Sequence, residues 1–179
     1  MIEQIQGQRI GLRRVKRSDA PLIVRYANDP QVANNTFIPY PYSLKDAYGF
    51  IRNTNKAWRK GTGYHLALED LTTGEFIGGF GFMVISQKHR CIEIGYWLGR
   101  KYRGQGLVPE AVTLGLRVAF KELKAMRVQA EVFDGNSSSV RVLEKCGFTF
   151  EGTHRKRIKH RGRWRDAMMF SMIRPEWRK

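Results

Sequence analysis

Three short stretches of this sequence hold residues whose types and spacing could do chemistry. The first is Arg100-Lys101-Tyr102-Arg103-Gly104-Gln105-Gly106-Leu107-Val108. An apolar run, Ile92 to Leu98, precedes it and reads as a strand. An apolar-periodic run, Leu107 to Leu123, follows and reads as a helix. Gly104 and Gly106 let the backbone turn tightly and approach a ligand closely. The free amides and positive dipole of a helix start attract an anion, and Arg103 and its basic neighbours add charge. Strand, basic glycine loop and helix together make a phosphate cradle, or else an ordinary strand-to-helix turn. The second stretch is Asn136-Ser137-Ser138-Ser139, leading to Gly147-Phe148. Asn136 at a turn before a helix suits an N-cap, and the serines also favour a helix start. The third is Glu93, inside Ile92-Glu93-Ile94-Gly95-Tyr96-Trp97. Alternation puts Glu93 on a solvated face. On an enclosed face its pKa would rise, which suits proton abstraction near neutral pH.

The elements around these stretches follow from pattern. Arg9 to Val15 alternates and reads as a strand. Ser18-Asp19 caps a helix to about Asn28, which Asp29-Pro30 ends. Phe37-Ile38-Pro39-Tyr40-Pro41-Tyr42 is an aromatic loop, because its prolines break a helix. Ser43 with Asp46 makes a capping box for a helix to about Lys60, stopped by Gly61 and Gly63. Tyr64 to Leu71 and Phe76 to Ser86 are strands joined by a hairpin turn at Thr72 to Glu75. Cys91 to Leu98 is the strand before the glycine loop. After the loop's helix come a strand, Arg127 to Phe133, and a short helix ending at Cys146-Gly147. Two strands, about Phe148 to Ile158 and Trp164 to Ile173, meet at His160 to Arg163. The order predicts a mixed α/β domain around one twisted sheet, with no repeat, linker or low-complexity segment.

At 179 residues the chain is expected to be a single domain, 1–179, large enough to bury a real core. No apolar run approaches the ~20 residues of a membrane helix. Met1-Ile2-Glu3-Gln4-Ile5 lacks a basic region followed by an apolar one, so a cytoplasmic protein is expected. Cys91 and Cys146 are too few and too isolated for a disulfide framework or a zinc site. His65, His89, His154 and His160 lack metal-ligand spacing, so no metal is expected. Formal net charge is the outlier at +16. Such a surface draws polyanions, coenzyme A and RNA among them, or is simply soluble. The excess gathers at the end: Glu151 to Lys179 holds ten Lys/Arg against three Asp/Glu. Apolar residues interleaved there (Trp164, Ala167, Met169, Phe170, Met172) point to folded strands with basic faces.

The glycine loop and the Asn136 block together resemble the GNAT family of acetyl-CoA-dependent N-acetyltransferases, and the element order matches that family over essentially the whole chain. Glu93-Ile-Gly-Tyr-Trp-Leu98 is similar to a run in its RimJ/RimL-like branch, which acetylates N-terminal residues of ribosomal proteins. The resemblance implies the GNAT fold: a central, mostly antiparallel sheet splayed in its middle, with flanking helices. It implies acetyl-CoA as cosubstrate, with amides from Arg103 to Val108 on its pyrophosphate. The family's loop pattern matches at Arg103 and Gly106 and departs at Val108, where a small residue is usual. Pantetheine is then expected against main-chain groups of Trp97, Leu98 and Gly99, and Asn136 beside the cofactor. Many members use a Tyr seven residues after this Asn to protonate the leaving thiolate. That position here is Leu143, and the resemblance gives the role to Ser139, against one more helix-cap serine. Glu93 is then the base for the incoming ammonium, directly or through water. The implied acceptor is a protein N-terminal α-amine, with a small-molecule amine or antibiotic as the alternative. A polycationic acceptor is disfavoured by the +16 charge. From another class, a non-catalytic RNA- or ribosome-binding module would use the basic C-terminal segment with Trp164 and Trp177. The sequence leaves monomer and homodimer open.

Overall fold

The computed structural model describes residues 4–177. Met1 to Glu3, part of the stretch searched for a leader, and the basic pair Arg178-Lys179 lie outside the described residues.

Strands β1 (Gln4–Gln6) and β2 (Ile10–Arg14) come first, then helices α1 (Ala20–Ala27), α2 (Pro30–Asn35) and α3 (Leu44–Lys60). Strands β3 (Gly63–Asp70), β4 (Phe76–Ser86) and β5 (Cys91–Leu98) follow as an antiparallel meander. Helix α4 (Leu107–Arg117), strand β6 (Arg127–Phe133), helix α5 (Ser137–Lys145) and strands β7 (Thr149–His160) and β8 (Arg163–Ile173) complete the described chain. The strands form one eight-stranded sheet in the order β1-β2-β3-β4-β5-β6-β8-β7. Among the described residues only β5 and β6 run parallel.

That parallel pair shapes the site. It holds register for three residue pairs, Cys91 with Arg127, Ile92 with Val128 and Glu93 with Gln129. Past them β5 continues to Leu98 and β6 to Phe133 with no ladder between them. The sheet therefore opens into a wedge, the expected splay. Opposite the wedge, β4 and β5 stay paired along their length, so the backbone edge of β5 facing the gap is free of strand partners.

Phe76, Phe80, Phe82, Phe120 and Phe170 are fully buried with Ile10, Leu12, Leu66 and Leu68. Helix α4 is drawn close to this core by Gly115. A Cβ there would sit 2.3 Å from the Phe80 ring. Glu110, one turn into α4, ties the same helix to the opening hairpin. Its Oε1 accepts from the amides of Gln8 and Arg9 at 2.7 and 2.9 Å. These two contacts fix where the helix starts, and hence where its free amides point.

The expected elements are present, with three differences. Asp29-Pro30 does end α1, but it also starts α2. The Asp29 side chain accepts from Gln31 N–H at 2.8 Å, and Pro30 takes the first helical position, where a missing N–H costs nothing. The helix expected to reach Leu123 is α-helical only to Arg117 and passes into a π-helical stretch, Val118–Glu122. The short β1 pairs with β2 ahead of the first expected strand. Among the described residues no helix is long and apolar enough to cross a membrane.

Candidate active site

A cleft of about 700 Å³ fills the wedge between β5 and β6. Its lining brings together Glu93, Trp97, Leu98, Arg103, Gly104, Gly106, Leu107, Val108, Asn136 and Ser139, ten of the twelve residues expected at the site. Gly99 and Gln105 do not line it.

At one end the cleft meets the start of α4. Gly104 and Gly106 hold φ of +76° and +75°, a region that L side chains enter only with strain. Gly106 is the N-cap residue, and no side chain caps the helix. The first-turn amides are thus directed at the cleft mouth and unfilled by capping, which is the geometry of an anion site. Two cations join them from α5. Arg141 and Lys145, four residues apart on one helix face, also line the cleft. Cys146 Sγ lies 3.7 Å from the Pro109 carbonyl, which sets the end of α5 beside the start of α4. The i, i+4 spacing was the sequence signal for these cations, and it is too common to single them out.

Arg103 plays a different part from the one its position in the loop implies. Its Nε donates to the Leu98 carbonyl at 3.0 Å and its Nη1 to Gln31 Oε1 at 2.7 Å. Its Nη2 lies 2.9 Å from Asp29 Oδ2. Three partners hold the guanidinium against the start of α2. The side chain therefore braces the loop, and the other two cations lining this end of the cleft, Arg141 and Lys145, come from α5. Gly99 is likewise spent internally. Its amide donates to Ile77 O at 2.9 Å and its carbonyl accepts from Tyr102 at 3.0 Å. A Cβ on Gly99 would lie 2.9 Å from the Tyr26 ring, so close packing explains this glycine. Gln105 turns its side chain back to the Lys101 carbonyl at 2.9 Å.

Midway along the cleft, Ser139 Oγ and Tyr96 Oη are 2.9 Å apart. The N-cap of α5 is Asn136, whose Oδ1 accepts from Ser139 N–H at 3.3 Å and from Ser138 Oγ at 2.8 Å. The capping role thus falls to Asn136, and the Ser139 hydroxyl is left for Tyr96. Burial raises the Tyr96 pKa, against the opposing bond to Ser139, so the phenol stays protonated. Sequence reading missed Tyr96 because it fits the apolar run of β5 and its partner is 43 residues away. Leu143 is buried in the core.

At the other end lie two carboxylates. Glu93 lines the cleft and does not sit on a solvated outer face. Burial pushes its pKa up, opposed by the bond from Gln129 Nε2 at 3.0 Å, and Glu131 pushes it further up. Glu131 also lines the cleft and pairs with Arg157 at 2.9 Å. The wall here is apolar: Val32 of α2, then Phe37, whose ring meets Phe133 edge-on at 5.3 Å. Of the aromatic loop Phe37 to Tyr42, only Phe37 lines the cleft, beside Val32 of α2. The four histidines lie outside it.

The cleft thus runs from a cationic, amide-lined mouth, past two hydroxyls, to a pair of carboxylates. Residues 9–149 match the family model described as Acetyltransferase (GNAT) domain. The chain is 31% identical, over 98% of its length and 99% of the relative's, to an N-acetyltransferase called p20 and described as uncharacterized, from Bacillus licheniformis. It is 29% identical to the [ribosomal protein uS5]-alanine N-acetyltransferase of Escherichia coli, over 77% of this chain and 70% of that one. Among solved structures, RimJ of Mycobacterium smegmatis in complex with CoA-disulfide shares the fold. Its TM-score is 0.91 at 23% identity, covering 99% of this chain and 90% of that one.

Proposed function

This chain belongs to the GNAT acetyltransferase family and is an acetyl-CoA-dependent N-acetyltransferase, and on that premise we propose that it acetylates the α-amine of a protein N-terminus, a ribosomal protein foremost. The observation that carries this reading is the polarity of the cleft. A cationic mouth suits the phosphates of acetyl-CoA, and a carboxylate pair against an apolar wall suits the ammonium of a peptide end.

When bound, acetyl-CoA supplies a thioester carbonyl that the amine attacks directly. On this reading the chain's own residues do the following. Amides from Gly104 to Val108, with Arg141 and Lys145, hold the anionic end of the cosubstrate. Trp97 and Leu98 of β5 line its arm, so orientation supplies much of the rate. Glu93, its pKa raised by burial, takes the proton from the ammonium. Ser139 donates to the departing sulfur, and Tyr96 holds its hydroxyl. An α-amine suits a modest base, with an ordinary pKa of about 7.7–8.0 against about 10.4 for lysine. Residues 1–179 act as one catalytic domain, in the cytoplasm where such acceptors are made.

The basic hairpin of β7 and β8 supports a ribosomal acceptor. Arg155, Lys156, Lys159, Arg161, Arg163 and Trp164 are exposed on it. RNA attracts such surfaces through counterion release. The non-catalytic alternative loses its support from Trp177, whose ring stacks on Phe120 at 5.2 Å. A second reading, a small diamine acceptor, is favoured by one observation, the two carboxylates at the acceptor end.

Initial rates at fixed acetyl-CoA discriminate the readings. The acceptors are a peptide with N-terminal Ala or Ser, an N-blocked Lys peptide, spermidine and an aminoglycoside. The N-terminal peptide is expected to give the highest kcat/KM. A higher value for any of the other three replaces the N-terminal reading with the small-amine or lysine one.

A further inference from the structure

A chain of hydrogen bonds runs behind Glu93, away from the cleft. Ser171 Oγ donates to Glu151 Oε1 at 2.6 Å. Arg127 grips Glu151 with both terminal nitrogens, Nη1 at 2.7 Å. The remaining nitrogen, Arg127 Nε, donates to Gln129 Oε1 at 3.2 Å. Cys91 Sγ adds a weak donor to the same oxygen at 3.5 Å. Gln129 Nε2 then donates to Glu93 Oε2 at 3.0 Å.

The orientation of Gln129 follows from chemistry. A guanidinium has no acceptor, so whatever faces Arg127 must be the amide oxygen. The Gln129 NH₂ group must then face Glu93. Register agrees, because Glu93 and Gln129 are the last paired residues of β5 and β6 before the wedge opens. Gln129 therefore stands between a full positive charge and the carboxylate that lines the cleft. A direct Arg127–Glu93 ion pair would stabilise the carboxylate and spoil it as a base. Glu151 instead absorbs the guanidinium charge, and Arg127 holds its carboxyl down to about 2.

We propose that Gln129 is a positioning residue for the transfer reaction: locked by Arg127 and Glu151, it aims the Glu93 carboxylate into the cleft and passes on a hydrogen bond without a charge. This inference rests on the reading of Glu93 as the base. The charged and titratable groups facing Glu93 are Glu131 on β6, Arg157 on β7 and Cys91 on its own strand. Gln129 is the neighbour that bonds its oxygen.

The test uses the full chain and Gln129→Met, which keeps the volume and removes the donor. Losing a bond to the charged form raises the Glu93 pKa, so the acid limb of the kcat/KM profile moves to higher pH. The plateau falls about tenfold, the size of one hydrogen bond to a charged group, while KM for acetyl-CoA stays put. Carbon-13 NMR of the Glu side-chain carboxyl reads the same rise without any acceptor. In a Glu93→Gln background, adding Gln129→Met costs nothing further. Arg127→Leu, which leaves the Gln129 amide free to turn, moves the limb the same way by less and serves if Gln129→Met misfolds. An unmoved acid limb and carboxyl resonance, with Glu93→Gln inactive, overturn the positioning role and leave the base in place. Full activity of Glu93→Gln itself overturns the base, and the positioning role with it.

Discussion

Replacing Ser139 by alanine separates two roles that one hydroxyl can hold. The cap of α5 belongs to Asn136, whose Oδ1 accepts from the main-chain amide at 139, so alanine keeps that bond. What alanine removes is the 2.9 Å contact with Tyr96 Oη. A buried hydroxyl stripped of its partner costs about 1–3 kcal/mol. Tyr96 faces the cleft, where water replaces the lost oxygen, so the cost lies at the low end, about 1 kcal/mol. For a chain of this size that lowers Tm by about 2–4 °C. Turnover falls much further, because a positioned proton donor contributes about 10²–10⁴ in rate. The assay pairs thermal melts with steady-state kinetics on Ser139→Ala, Tyr96→Phe and the double variant. Tyr96→Phe alone keeps the donor and loses its aim, so its kcat falls by less than that of Ser139→Ala. In the double variant the stranded phenol is gone, so Tm returns toward the starting value. Its kcat stays at the Ser139→Ala level. The cap hypothesis predicts the reverse, a stability loss with kcat intact. A Ser139→Ala enzyme with undiminished kcat therefore refutes the leaving-group role and leaves the sulfur to depart without a proton from this residue.

Two further substitutions test the frame around the site. Gly106→Asp puts a negative charge where the α4 amides converge, and acetyl-CoA affinity measured by calorimetry should fall tenfold or more, about 1.4 kcal/mol; Gly106→Ala controls for backbone strain at φ +75°, and unchanged affinity in a folded Asp variant sinks the cradle. Asp19→Ala strips the bidentate partner from Arg13, both side chains being more than nine-tenths buried. Breaking a buried pair costs about 3–5 kcal/mol, and the remaining Glu69 contact keeps the expected loss near the lower end; a loss under about 1 kcal/mol in denaturant melts would show that the guanidinium escapes to water.

The sequence was most informative where local signals are strong. Ser43 and Asp46 form the expected reciprocal cap, with Ser43 Oγ accepting from the Asp46 amide at 3.2 Å and Asp46 Oδ2 from the Ser43 amide at 2.8 Å. The glycine loop sits where strand and helix patterns meet. Asp29-Pro30 misled because the same pair satisfies two local rules, stopping one helix and capping the next. Only packing decides that a helix follows, and Arg103 reaching over to Asp29 is part of that packing. Charge in the loop was legible, but its destination was not, because a nearby carboxylate 74 positions earlier claims it. The wedge was expected from resemblance alone. No local pattern states that β5 and β6 pair for three residues and then part. Tyr96 and Gln129 share this reason. Tyr96 sits in an apolar strand pattern and Gln129 in an ordinary alternating one, and their bonds to Ser139 and Glu93 form only when a strand and a helix, or two strands, are brought together.

The charge of +16 and the acidic end of the cleft work at different ranges. At physiological ionic strength the field of a surface charge fades over about 8 Å. A ligand near the surface but still farther than that from Glu93 and Glu131 meets the basic exterior, most concentrated on the exposed β7–β8 hairpin. A ligand inside the cleft meets Glu93 and Glu131, in a partly desolvated setting where screening is weaker. Repulsion of a cationic acceptor by the positive protein thus fails at the site itself. It holds for the approach. A free polyamine is repelled during approach and attracted only once inside. A protein N-terminus carried on an anionic particle is attracted at both stages, first through the particle's phosphates and then through its own ammonium. Acetyl-CoA, anionic throughout, meets the basic exterior and then the cationic mouth formed by α4 and α5. On the proposed N-terminal reading, the two charge patterns together select the carrier of the amine as much as the amine.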